Sequence, residues 1–199
     1  MLPQGSLCLA HAESFWPWRR WTELAAWKDR EQTLVVLPIC GFSEPHPEAP
    51  LDSEERLLTD LLAHALEDVA PDSALMLPPV RFVTGPSDTC VFTVAPELAH
   101  AQLEEICLSV KDAGFRRIVF VNSSRWNEEL CDVAARDLRV DHALQLFCIH
   151  LRALGIAELA PDDSVVAANA STALRRLLVE IQARPPLARS GAFVPRELP

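Results

Sequence analysis

The run Leu34-Val35-Val36-Leu37-Pro38-Ile39-Cys40-Gly41 carries no charged residue. An apolar stretch this short and continuous fits a strand buried on both faces, as in parallel sheets. Runs of the same kind stand at 74–82, 117–122 and 144–150, after the first at 33–40. Between them, apolar residues recur at helical spacing over 52–68, 96–113, 126–137 and 164–183. Pro96-Glu97 suits a first helical turn, and Gly114 suits the position just past a helix end. Strands alternating with helices predict an α/β protein, a three-layer α/β/α sandwich with a mainly parallel sheet. A chain of 199 residues is enough for one well-buried domain. That domain is expected over residues 1–184, with the Pro-rich 185–199 as an extended C-terminal tail.

The first strand run empties into Ser43-Glu44-Pro45-His46-Pro47-Glu48-Ala49-Pro50-Leu51-Asp52-Ser53-Glu54. Carboxylates and an imidazole therefore follow the carboxyl end of a buried strand. In open α/β sheets that edge holds ligands and metals. The corresponding stretch after 117–121 is Asn122-Ser123-Ser124-Arg125-Trp126-Asn127, which offers no comparable donors.

The net charge of −10 argues against a nucleic-acid surface, which needs a basic stripe. No apolar run reaches the length of a membrane span. The start, Met1-Leu2-Pro3-Gln4-Gly5-Ser6, lacks the features of a secretory signal, so a cytoplasmic protein is expected. Six cysteines are scattered without a Cys-x-x-Cys pair. They read as small hydrophobes rather than as a zinc ribbon or a disulfide framework. Four of five tryptophans fall in 14–28, where Trp18, Trp21 and Leu24 recur at helical spacing. Most are expected to pack, with one or two facing a subunit contact. Ser123-Ser124 has no Gly-x-Ser-x-Gly elbow and reads as a turn that caps the next helix. His64 and His100 fall on predicted helices.

These residues resemble the creatininase (creatinine amidohydrolase) family. Its pattern of Leu-Pro-x-Gly followed by Ser-x-Glu-x-His is similar to Leu37-Pro38-Ile39-Cys40-Gly41-Phe42-Ser43-Glu44-Pro45-His46, with one family glycine deleted after His46. The family's Gly-Phe-Arg-x-Ile-x-x-Val-Asn-Gly-His-Gly-Gly-Asn resembles Gly114-Phe115-Arg116-Arg117-Ile118-Val119-Phe120-Val121-Asn122-Ser123-Ser124-Arg125-Trp126-Asn127. Leu77-Pro78-Pro79 resembles the family's Leu-Pro-Pro. The resemblance runs in order over residues 16 to 138 and more loosely beyond.

The resemblance implies a creatininase-like fold and a metal-dependent hydrolase of small, often cyclic, amides, holding zinc or manganese if it holds any metal. The metal ligands carried over are Glu44, His46 and Glu54, the last a longer carboxylate in place of the family's bridging Asp. Two further ligand positions fall on Ser124 and Trp126, and the second His of the first motif falls on Glu48. The downstream His-Ala-Gly-Glu-x-Glu-Thr-Ser segment is echoed only by Asp141-His142-Ala143-Leu144-Gln145. His142, His150 and Asp137 are the other groups within reach of recruitment by the fold. The leading expectation is a family member with a degenerate metal site, a non-catalytic or weakly active subunit. It would form a homo-oligomer, or a hetero-oligomer with a related chain, as family members do. An active amidohydrolase with a rebuilt site, and a binding module for small amides, are the alternatives.

Overall fold

The computed structural model describes residues 14–42, 50–67, 69–70, 72–156 and 164–186. Its centre is a sheet built from β1 (Leu34–Cys40), β2 (Ala74–Met76), β3 (Val80–Arg81), β4 (Arg117–Asn122) and β5 (Gln145–His150). Helices α1 (Trp21–Ala25), α2 (Ser53–Leu66), α3 (Pro96–Asp112), α4 (Glu128–His142) and α5 (Ser164–Ala183) connect or flank the strands. The order is β2-β1-β4-β5, with β3 also beside β1, and every described pairing is parallel.

β1 is buried along its whole length, as its unbroken apolar run requires. Successive side chains leave a strand on opposite faces. Val36, Met76 and Val119 join Leu58, Leu62, Leu174 and Leu178 in a core layer beneath α2 and α5. Val35, Leu37, Ile118 and Phe120 join Leu103, Cys107, Cys131 and Leu138 beneath α3 and α4 on the other face. The three-layer expectation is met.

Local details differ from the sequence expectation. The stretch 74–82 splits into β2 and β3, because Pro78 and Pro79 have no N–H to give the ladder. The Trp-rich segment, read as helical in spacing, holds a 3₁₀ turn (Trp16–Trp18) and the short α1. Trp16 and Trp27 pack edge-on against Phe115, while Trp18 and Trp21 are 46% and 82% exposed. The helix expected at 126–137 begins with a 3₁₀ turn and runs on to His142. Gly114 takes a φ of +94° just beyond α3, the left-handed conformation a helix exit needs.

The amino edge of the sheet is closed by Arg117. Its buried guanidinium donates to the carbonyls of Gln32 (3.0 Å), Arg184 (3.0 Å), Gln182 (3.4 Å) and Ile181. The last turn of α5 thus places its carbonyl end against a cation. Among the described residues, no helix is long and apolar enough to cross a membrane.

Candidate functional site

Parallel strands send all their carboxyl ends to one edge. β1 continues through α2 to β2 on one side, while β4 continues through α4 to β5 on the other. The gap between the ends of β1 and β4 is therefore a topological switch point, where α/β proteins open a crevice. In register, Ile39 of β1, Asn122 of β4 and His150 of β5 form one row across this edge.

The β1 side of the gap is filled. Gly41 follows β1, and its N–H donates to Glu54 Oε2 at 3.0 Å. Glu54 sits in the first turn of α2 and is only 4% exposed. A Cβ on Gly41 would lie 2.7 Å from Val83 Cγ2, 2.9 Å from Ser124 Oγ and 3.0 Å from Glu54 Oε2. Only glycine lets the backbone come this close to a buried hydroxyl and carboxylate. Ser124 is fully buried, and its Oγ has no hydrogen-bond partner among the described residues. An orphaned buried hydroxyl costs free energy and marks a place where the chain has not been fully satisfied. Ser124 does not cap the following turn through its side chain, contrary to the sequence expectation.

Next to it, Glu55 is buried and grips Arg81 at the end of β3 with two bonds. Arg81 Nε lies 2.7 Å from Oε2 and Nη2 lies 2.6 Å from Oε1. This bidentate pair ties α2 to β3. Burial, reinforced by the Glu55 charge, pushes the Cys40 thiol far above its ordinary range. Cys40 is therefore an inert, protonated core residue rather than a nucleophile.

The β4 turn is held by Asn122. Its Oδ1 accepts the Ser124 N–H at 3.2 Å, and its Nδ2 donates to the Ser124 carbonyl at 2.7 Å. These two bonds fix which way the amide faces. Nδ2 then lies 3.2 Å from Nδ1 of His150. His150 Nδ1 must accept, so the network assigns its proton to Nε2, 3.2 Å from Asp132 Oδ1. Further along, Asn127 Nδ2 donates to the Phe82 carbonyl at 2.8 Å, and its Oδ1 accepts the Thr84 N–H at 3.1 Å. Trp126 packs against Gly85, where an added Cβ would meet the indole at 2.7 Å, and the Arg125 guanidinium lies 4.6 Å from the ring centroid.

Of the residues proposed from sequence, Glu44, His46 and Glu48 lie outside the described residues. Glu54, Ser124 and Trp126 follow the edge strands as expected. His142 does not reach this edge; it ends α4 and bonds Glu104 at 3.1 Å. Asp137 is engaged by His100 at 3.2 Å, and His64 Nδ1 contacts the Asp60 carbonyl at 2.7 Å. His150 does reach the edge. Its partners Asn122 and Asp132 are 28 and 18 residues away, so no local motif could have joined them. The five described cysteines are free. A separate cleft of about 340 Å³ is lined by Trp16, Leu77, Glu105, Ile106, Ser109 and Val110, and none of the edge residues lines it.

The fold and this edge define an α/β protein with a parallel-sheet switch point between β1 and β4. The family model for creatininase, described as creatinine amidohydrolase, matches residues 19–183. The chain belongs to the creatininase family. Solved structures agree in fold. A creatinine amidohydrolase (creatininase) matches with a TM-score of 0.57 at 17% identity, over 79% of this chain and 63% of that one. A mutant creatininase complexed with creatine matches at 0.56 and 17%, over 76% and 61%. A creatininase with Mn matches at 0.56 and 16%, over 78% and 63%. The chain thus spans about three fifths of the length of these structures. Comparison with curated protein sequences returned no match.

Proposed function

We propose that this chain is a creatininase-family member with a degenerate metal site, a non-catalytic or weakly active subunit that partners other chains. Two ions that share a water need several fixed donors and an open position. The described donors do not fit that requirement. Glu54 spends one oxygen on the Gly41 N–H, Ser124 offers a hydroxyl, and Trp126 offers no ligand atom. The carrying observation is the tight contact of Gly41 with Ser124 and Glu54, where the resemblance places ligands. Glu44 and His46 would complete at most a half-site with Glu54, for zinc or manganese. The exposed Trp18 and Trp21 suit a contact with a second copy or a related chain in the cytoplasm. The single domain of residues 1–184 would carry that role, with 185–199 as a tail.

The test is hydrolysis of creatinine and other cyclic or formyl amides by the full chain with added zinc or manganese. Little or no turnover is expected. Metal-dependent turnover lost in His46→Ala would overturn this reading and support the second, an active amidohydrolase with a rebuilt site. That second reading draws on His150, which stands at the crevice beside the Ser124 turn.

A further inference from the structure

Cys148 and His150 are two apart on β5, so both side chains leave the sheet on one face. Cys148 packs against the α3 and α4 layer, and Asp132 meets the pair from the start of α4. A thiol sulfur, an imidazole nitrogen and a carboxylate oxygen lie within 4.8 Å of one another. The three differ in exposure. The Asp132 side chain is 64% exposed, against 15% for His150. None of the three belongs to the Glu44, His46 and Glu54 set.

We propose that Asp132, Cys148 and His150 form a mononuclear site for a borderline-soft divalent cation of the zinc class, with water in the remaining position. Sulfur, nitrogen and oxygen donors together select zinc-like ions over magnesium or calcium, which take oxygen sets. With metal–ligand bonds of about 2.0–2.3 Å, tetrahedral donors stand roughly 3.2–3.8 Å apart. The His150–Asp132 separation of 3.2 Å already matches. The sulfur lies within 4.8 Å of both and gives up its 3.5 Å contact with the Cys131 carbonyl to close the triangle.

Asn122 links this site to the turn after β4. Without an ion, His150 keeps its proton on Nε2, toward Asp132. Capture of the ion at Nε2 transfers that proton to Nδ1, and the thiol proton leaves to water. The new Nδ1–H then faces the Asn122 Nδ2 donor. The amide must turn to offer Oδ1, which breaks its two bonds to Ser124. Occupancy at β5 is thereby coupled to the conformation of the crevice.

Cobalt titration of the full-length protein tests this. One equivalent per chain is expected, with a thiolate-to-cobalt charge-transfer band that zinc abolishes. Cys148→Ser should lose the band. Asp132→Asn, at an exposed position that does not threaten folding, should lose stoichiometric binding. Asn122→Asp gives Nδ1–H an acceptor and should tighten binding on the order of tenfold. Glu54→Gln should leave the band unchanged. No band, a band persisting in Cys148→Ser, or binding lost in Glu54→Gln would overturn the site. Affinity unchanged in Asn122→Asp would overturn the coupling. Failure here leaves the leading reading of the family site standing, because Glu44, His46 and Glu54 are not ligands of this site.

Discussion

The two halves of the carboxyl edge solve opposite problems. On the β1 side, Gly41, Glu54 and Ser124 are packed so tightly that a single methyl group would not fit. There Glu54 Oε2 accepts the Gly41 N–H, and Ser124 Oγ has no hydrogen-bond partner among the described residues. On the β5 side, Asp132, Cys148 and His150 face one another beside solvent. The β1 half is closely packed, while the β5 half gathers titratable groups. The difference teaches that a ligand motif in the sequence and a ligand cluster in space need not coincide. Asn122 stands between the halves and touches both.

The largest effect is therefore expected at that pivot. Asn122→Ala removes two buried hydrogen bonds to Ser124 and a part-buried contact to His150, leaving the turn and the ring unsupported. It should cost about 3 kcal/mol, measured by urea denaturation. A loss under about 1 kcal/mol would mean that the halves are not joined there.

Gly41→Ala strikes only the β1 side. Its Cβ would meet Val83, Ser124 and Glu54 at 2.7–3.0 Å, which should cost about 2 kcal/mol. The double change with Ser124→Gly should recover part of that loss, since residues in contact couple. Full additivity would break the picture of a closed corner.

On the β5 side, His150→Gln should cost only about 1 kcal/mol, because its partner Asp132 is solvated and a partly exposed pair contributes little. An effect as large as that at Gly41 would show that the β5 cluster is structural after all.

The smallest change is expected from Ser124→Ala. It removes a buried hydroxyl that has no described partner, so stability should stay the same or rise by about 1 kcal/mol. A clear loss would show that the hydroxyl is satisfied and in use.

Much of the fold was legible because buried strands in parallel sheets write themselves as apolar runs. β1, β4 and β5 fall within one residue of the runs read from sequence. The split of β2 from β3 follows from Pro78 and Pro79, which have no N–H to give the ladder. The site was legible only where its residues are neighbours in sequence. Glu54, Ser124 and Trp126 could be placed by motif order. Asn122, Asp132 and His150 meet through the β4–β5 register and the second turn of α4, and nothing local announces that. The echo at His142 misled for the same reason, since helix α4 carries it to its far end.

The most direct test is the divalent-metal content of the purified full chain, taken in parallel for Glu54→Gln and Cys148→Ser. One ion per chain is expected, retained in Glu54→Gln and absent in Cys148→Ser. Two ions per chain, both lost in Glu54→Gln, would contradict it and restore an intact family centre.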